Sequence, residues 1–277
     1  MLKVNFFSKY SSLLSINSLY VCVISGILLC FHYEPFYNQF QSTQEITYLI
    51  PFGWFVRYIH FISAQMCIIT ALFHSFEHLL TYKIPKGYNV LFLNFVVVLL
   101  FICSFTGFVL KYDQEGKSAL DISMTLVEQI PFLGGFLFSL IFGTANKLNY
   151  FYVYHCIVIP VFIFLLLKRH MDLVPSLSLG SISLIVAVTL LYYRFFRVIH
   201  DVPHGVIVKQ VYAPWFFWGI QFLLKYIHPM IAGVVIPAKI VLVWLCLPLL
   251  PRIVSRVFFS LLLCYFLVGI LFRLGMI

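Results

Sequence analysis

Apolar residues are grouped into seven long runs, and polar stretches separate them. The runs cover about residues 12–32, 54–80, 88–111, 149–169, 177–197, 229–250 and 253–273. Each has about 20 largely apolar residues, which is the number that a helix needs to cross a bilayer. A shorter aromatic stretch, residues 212–227, is typical of an interfacial or re-entrant helix. The pattern predicts an all-α integral membrane protein with seven membrane-spanning helices.

The three long connections between these runs are residues 33–53, 112–148 and 198–228. Because successive spans cross in alternating directions, all three are expected on one side of the membrane, where a partner or substrate site is expected. Residues 130–135, between two apolar stretches, predict a surface helical hairpin. The distribution of Lys and Arg does not decide which side is cytoplasmic.

Composition supports a membrane location. Hydrophobic residues make up 62% of the 277 residues and charged residues 10%, whereas soluble domains have about 25% charged residues. The net charge of +9 comes largely from Lys and Arg at the ends of apolar runs, where they contact lipid, so no nucleic-acid partner is expected. No cleavable signal peptide is expected at the N-terminus.

Four histidines form two widely spaced pairs inside apolar runs. His60 and His74 are 14 residues apart and His155 and His170 are 15 apart, so each pair spans roughly 21–22 Å of helix and returns to the same face within roughly 40° or 60°. Two facing helices would hold two His–His couples at two depths, which fits bis-imidazole haem ligation. Zinc requires more closely spaced ligands. His78, four residues after His74, is expected to face lipid headgroups or a haem propionate.

The seven cysteines form no C-x-x-C or C-x-x-C-H motif. Neither the covalent attachment of c-type haem nor iron–sulfur ligation by this chain is therefore expected. The cysteines are expected to serve as small, buried hydrophobic residues.

Four segments between Tyr33 and Pro251 resemble the cytochrome b family in the expected order. They are Gly53-Trp54-Phe55-Val56-Arg57-Tyr58-Ile59-His60 with His74, Ser104 to Gln114, Phe151-Tyr152-Val153-Tyr154-His155 with Pro160 and His170, and Ala213 to Gln221 with Ile231 to Pro237. The resemblance implies a di-haem four-helix bundle over residues 1–175, followed by three further transmembrane helices over residues 176–277 that form a quinone-site region.

The resemblance also assigns roles to individual residues. It implies that two non-covalent b-type haems are bound, the low-potential haem by His60 and His155 and the high-potential haem by His74 and His170. Arg57 matches an arginine near a haem propionate. Gly26 and Gly107 match glycines where the macrocycle lies against a helix backbone.

The implied function is that of the cytochrome b subunit of a respiratory bc-type complex, a quinol:cytochrome c oxidoreductase that couples quinol oxidation and quinone reduction to transmembrane electron transfer. The implied partners are a Rieske iron–sulfur protein, a cytochrome c-type subunit, quinol, lipid and a second copy of the chain. A bacterial cytoplasmic membrane is expected, with the mitochondrial inner membrane as the alternative.

The quinol-oxidation motif departs from the family. The family's Pro-Glu-Trp-Tyr motif corresponds here to Pro214 and Trp215, with no acid between them. The bacterial members most similar in this segment have a Glu soon after the Gln, where this chain has Phe222. Glu128 is the expected substitute proton acceptor, and Asp121, His200 and His204 are further candidates. The missing acid favours an alternative, a di-haem quinone-reactive anchor of another oxidoreductase.

The sequence allows two further interpretations. A transporter could use His and Lys residues as a proton relay. Lys239, within the sixth apolar run, either faces a cavity or extends towards the membrane surface.

Overall fold

The structure is a computed structural model that describes residues 6–81, 87–144, 146–170, 177–196, 201–206, 208 and 210–276. It is helical, as the apolar runs predict, because only helices and closed barrels satisfy every backbone hydrogen bond within lipid. The helices of the first half of the chain are α1 (Phe6–Cys30), α2 (Gln39–Tyr48), α3 (Gly53–Thr81), α4 (Gly87–Leu110), α5 (Gln114–Glu128) and α6 (Gly134–Phe142). Those of the second half are α7 (Lys147–Val153), α8 (Ile159–His170), α9 (Leu179–Phe195), α10 (Trp218–Leu223), α11 (Ile236–Cys246) and α12 (Arg252–Arg273).

Within the described residues, six helical segments are long and apolar enough to cross a membrane. They are Lys9–Cys30, Gly53–Leu80, Asn89–Leu110, Lys147–His170, Ile231–Leu249 and Arg252–Arg273. The remaining predicted span corresponds to α9, a shorter apolar helix of 17 residues. The chain is an integral membrane protein, and its all-helical architecture is the predicted one.

Two of the long segments contain a π-helical stretch, Tyr154–Val158 before α8 and Ile231–Val235 before α11. Each stretch precedes a proline, Pro160 or Pro237, within the same continuous helical segment. Proline has no N–H group and cannot make the hydrogen bond to the carbonyl four residues earlier. The wider turn therefore occurs where the regular helical bond is unavailable.

By contacts, the described chain forms two compact units. The first holds α1, α2, α3, α4 up to Ser104, α8 and α9. In this unit α1 packs along α3, and α9 packs against both of these helices. Buried polar pairs connect neighbouring helices, as when Ser75 on α3 donates to Asn94 on α4 at 2.5 Å, a common form of helix association in lipid.

The second unit holds the rest of α4, α5 to α7 and α10 to α12. Helices α5 and α6 pack together and form the hairpin that residues 130–135 predict. Helix α5 begins at Asp113, whose carboxylate accepts a hydrogen bond from the Gly116 amide at 2.8 Å, as an N-cap residue does. Gly219 on α10 lies against the ring of Tyr265 on α12, where a Cβ atom would clash.

Two local expectations differ from the structure. Residues 212–227 do not form one continuous helix, because the described helical part is a 3₁₀ turn at Trp215–Phe217 followed by the short α10. Helix α2 lies in a connection where no helix was expected. It is polar and packs against α3, so it lacks the long apolar run that predicted the other helices. The division of the chain at residues 175 and 176 stays a prediction.

Candidate functional site

The first histidine couple consists of His60 on α3 and His155 in the π-helical stretch. Their ring centroids lie 6.1 Å apart and the ring planes are inclined by 79°. Each imidazole is held by a neighbouring helix: the Nδ1 atom of His60 lies 2.9 Å from the carbonyl oxygen of Cys22, and that of His155 lies 2.9 Å from the carbonyl oxygen of Cys103. A carbonyl only accepts hydrogen bonds, so Nδ1 carries the proton and Nε2 is left with its lone pair.

The second couple consists of His74 on α3 and His170 at the end of α8. Their ring centroids lie 6.2 Å apart with an interplanar angle of 83°. The Nδ1 atom of His170 lies 2.9 Å from the carbonyl oxygen of Asn89. The Nδ1 atom of His74 instead lies 3.3 Å from the hydroxyl oxygen of Ser11 on α1. The two couples therefore share their geometry, and three of the four imidazoles share one kind of orienting bond.

A cavity of about 270 Å³ lies beside the second couple. Side chains of α1, α3, α4 and α8 line it: Ser12, Ser15, Ile16, Leu19, Cys67, Ala71, His74, His78, Leu93, Val96, Leu100, Leu167 and His170. Apart from the histidines and two serines, this lining is apolar. The surroundings suit a largely apolar ring system that is bound through nitrogen ligands.

The π-helical stretch explains how unequal spacings produce equivalent couples. In a regular helix, residues 15 positions apart, such as His155 and His170, lie about 60° past four full turns around the helix axis. Residues 14 positions apart, such as His60 and His74, lie about 40° short of four full turns. A π turn accommodates one additional residue, so the 15-residue spacing in this segment becomes equivalent to the 14-residue spacing in α3.

Both couples fit a six-coordinate macrocyclic iron. Two imidazoles on opposite faces of one metal ion need two metal–nitrogen bonds of about 2 Å each, which places the ring centres roughly 6 Å apart once the ring radii are added. Ligation by two histidine nitrogens, with the second ring nitrogen hydrogen-bonded to the protein, is the pattern expected of b-type haem sites. In three of the four histidines that second nitrogen lies against a backbone carbonyl, and in His74 it lies against a hydroxyl.

His78 lies closer to the second couple than the sequence indicated. Its Nε2 atom is 3.1 Å from Nε2 of His74, and ligand atoms of His74, His78 and His170 all lie within 4.8 Å of one another. The i, i+4 spacing of His74 and His78 was visible in the sequence. The approach of His170 from α8 was not, because it depends on the packing of separate helices.

Three further residues that the family resemblance singled out lie on α1, α3 and α4, the helices that hold or orient the histidine couples. At Gly26 on α1, a Cβ atom would lie 3.0 Å from Cε1 of His60, so the missing side chain leaves room for that imidazole. Arg57 donates from Nη1 to the hydroxyl of Thr47 on α2 at 2.7 Å. Gly107 is a half-buried residue of α4.

The expected quinol-site residues belong to the second unit. Glu128 is exposed at the last residue of α5. Pro214 precedes the 3₁₀ turn that begins at Trp215, and the Trp215 ring lies 5.4 Å from that of Phe266. The shared role of Glu128, Pro214 and Trp215 in quinol oxidation stays a prediction.

The other candidate groups have different surroundings. Asp121 is exposed and pairs with Lys117 at 2.8 Å. The His204 ring lies 5.0 Å from that of Tyr112, and His200 is outside the described residues. Lys239 is exposed on α11, and both interpretations of it, a position facing a cavity and a side chain that extends towards the membrane surface, stay predictions.

Comparison with known proteins identifies the family of this chain. The family model described as cytochrome b/b6/petB matches residues 3–177. Cytochrome b6 of Trichodesmium erythraeum (strain IMS101) is 32% identical over 153 residues, which are 53% of this chain and 69% of that protein. Cytochrome b6 of Prochlorothrix hollandica is 32% identical over 161 residues, 54% of this chain and 72% of that protein.

A solved structure is similar over nearly the whole chain. A chain of a hyperthermophilic respiratory Complex III superposes with a TM-score of 0.70 and 16% identity, covering 96% of this chain and 91% of that one. At this identity the similarity establishes the fold, while the family follows from the sequence matches. The chain belongs to the cytochrome b family, whose members bind b-type haem.

Proposed function

We propose that this chain is the cytochrome b subunit of a bc-type respiratory complex and that it holds two b-type haems. His60 and His155 would ligate one haem, and His74 and His170 the other. The observation that carries the proposal is the near-identity of the two couples, with ring separations of 6.1 Å and 6.2 Å. The family match supports the same cofactor.

The haems supply reversible one-electron transfer when bound, and the chain's own residues position and insulate them. The carbonyl groups of Cys22, Cys103 and Asn89 keep the Nδ1 protons of three histidines in place. Such bonds fix ring orientation and increase the basicity of the ligating nitrogen. Arg57 is proposed to bind a propionate while Thr47 orients its guanidinium group.

The proposal extends to quinol chemistry. Quinol oxidation is assigned to the second unit, with Pro214 and Trp215 as binding residues and Glu128 as the acceptor of a quinol hydroxyl proton. Quinone reduction is assigned to the opposite side of the membrane. Of the two electrons that a quinol releases, one would pass to the haems of this chain and the other to a Rieske protein and a cytochrome c-type subunit. The complex is proposed to be homodimeric and to lie in a bacterial cytoplasmic membrane.

A second candidate function is a di-haem, quinone-reactive membrane anchor of another oxidoreductase. The environment of Phe222 favours it. Phe222 occupies the position at which the resemblance to bacterial members predicts a Glu. Its ring centroid lies 5.2 Å from that of Tyr226 and 6.0 Å from that of Phe272. The residue at this position thus packs against aromatic rings and has no carboxylate of its own to accept a quinol proton.

A reduced-minus-oxidised spectrum with redox titration tests the central proposal. Two low-spin b-type haems with distinct potentials are expected in the purified protein, and His155→Ala should remove one of them. Fewer than two haems in the unaltered protein would contradict the proposal. Isolation of the native complex separates the two candidate functions: a Rieske subunit supports the bc-type complex, and a different catalytic subunit supports the anchor.

A further inference from the structure

The second couple has an additional imidazole on the same helix face. His78 follows His74 by one turn of α3, and the ring centroids of the two residues lie 4.5 Å apart. Their Nε2 atoms are 3.1 Å apart, and both side chains line the cavity that His170 also lines. Two nitrogen ligands from α3 are therefore directed into one space.

The geometry of His78 relative to His170 matches that of a haem-ligand couple. The ring centroids of His78 and His170 are 6.0 Å apart, with an interplanar angle of 83°. The values are 6.2 Å and 83° for His74 with His170, and 6.1 Å and 79° for His60 with His155. The ring of either α3 histidine thus lies at the separation from the His170 ring that is expected when both ligate one iron.

The hydrogen bond of His74 differs from those of the other three ligands. His60, His155 and His170 each donate from Nδ1 to a backbone carbonyl at 2.9 Å. His74 has the Ser11 hydroxyl at 3.3 Å. A hydroxyl both donates and accepts, so this contact permits either tautomer of His74. His74, which has the imidazole of His78 beside it, is therefore also the least constrained of the four proposed ligands.

We propose that His78 is a second axial ligand for the haem at this site, so that the couple His78–His170 can replace His74–His170. This inference rests on the proposed di-haem function and deepens it. The exchange conserves charge and stoichiometry, because one neutral imidazole nitrogen leaves the iron and another binds, while His170 stays in place. The first site lacks this arrangement, because the residue four positions after His60 is Ala64.

The test compares low-spin haem content in the purified full-length protein and in the variants His74→Ala, His78→Ala, His74→Ala/His78→Ala and His60→Ala. Electron paramagnetic resonance of the oxidised haems is recorded beside the redox titration. His74→Ala is expected to keep two low-spin haems, with changed g values and potential for one of them only. The double variant and His60→Ala are each expected to keep one.

Loss of one haem in His74→Ala, to the level of the double variant, would overturn the exchange proposal while leaving the di-haem function intact. Fewer than two haems in the unaltered protein would instead contradict the di-haem function itself. Retention of the first haem in each His74 variant reports that the bundle is folded. Should His74→Ala fail to fold, His74→Asn, which retains a polar side chain beside Ser11, is evaluated by the same criterion.

Discussion

A Cβ atom built on Gly26 of α1 would lie 3.0 Å from Cε1 and 3.3 Å from Nδ1 of His60 on α3. Contacts of this length require the imidazole to move by a few tenths of an ångström. The imidazole is constrained by its bond to the Cys22 carbonyl, so a side chain at position 26 acts directly on the orientation of a proposed haem ligand.

Gly26→Ala is therefore expected to change the spectrum and potential of one haem, and Gly26→Val to remove that haem. Spectroscopy and haem quantification on the purified variants measure this effect. Gly135→Ala in α6 is the control, because a Cβ atom there meets nothing within 4 Å. Two unchanged haems in Gly26→Val would refute a role for this close approach.

The bond between Arg57 and Thr47 leads to a second prediction. Thr47→Val removes the hydroxyl that accepts a hydrogen bond from the Arg57 guanidinium group at 2.7 Å. A hydrogen bond to a charged group contributes about 1.5–3 kcal/mol, so the apparent melting temperature should fall. Thr47→Ser, which retains the hydroxyl, should resemble the unaltered protein. Equal melting temperatures for Thr47→Val and Thr47→Ser would argue against this bond as a stabilising contact.

The membrane spans and the common face of each histidine pair could be predicted from sequence for a physical reason. Lipid cannot hydrogen-bond to the backbone, so a span must be a helix of nearly fixed length. Helical periodicity then places His60 with His74 and His155 with His170 on common faces. Neither conclusion requires knowledge of the packing between helices.

Other features depend on packing or on local breaks in the helix. The carbonyl partners of the histidines come from neighbouring helices, and the closeness of His78 to His170 depends on where α8 ends. The π-helical stretch changes the angular relation that a regular helix predicts for His155 and His170. Polar α2 has no membrane-spanning pattern, so hydrophobicity alone did not indicate it.

Asp113 provides a pH-dependent prediction outside the membrane spans. Burial raises the pKa of its carboxyl group above the ordinary value of 3.8, the neighbouring Lys111 and Gly116 amide oppose that change, and Asp201 adds to it. Because the folded-state pKa is the higher one, the folded chain binds more protons than the unfolded chain between the two values, and stability is lost as pH rises through this interval.

The melting temperature of the unaltered protein minus that of Asp113→Asn should therefore decrease as pH rises from 3.8 through the folded-state pKa. Taking this difference cancels groups that the two proteins share. Asp121→Asn, at an exposed ion pair with Lys117, is the control for the loss of a carboxylate on the same helix. A difference that increases with pH would show that the Lys111 contact outweighs burial.

Glu128 is the proposed proton acceptor in quinol oxidation, which predicts a kinetic effect without loss of haem. A positioned acid–base group contributes about 10²–10⁴-fold to a rate, so Glu128→Gln should lower kcat for quinol oxidation by at least about 100-fold in the intact complex. Glu115→Gln, at the other end of α5, is the matched control. Unchanged turnover in Glu128→Gln would transfer the role to another group or favour the anchor function.

The π-helical stretch before α8 leads to a prediction about chain length. Deleting Val158 together with Pro160→Ala removes the extra residue and restores the N–H group that a regular helix needs. The segment should become a continuous α-helix in which His155 and His170 are 14 residues apart, as His60 and His74 are in α3. Both haems should be retained, as measured by haem quantification and low-spin spectra.

Deleting Phe164 together with Pro160→Ala is the matched comparison, because it also shortens the segment by one residue but within the regular part of α8. If the π turn persists, His155 and His170 rotate relative to each other by about 100°, and one couple is lost. Because Pro160→Ala lets the wide turn relax, the deletion of Phe164 with Pro160 retained is measured as well. This single deletion should show the largest loss of haem, down to one haem per chain. Retention of both haems in that single deletion would show that the extra residue is not what aligns His155 with His170.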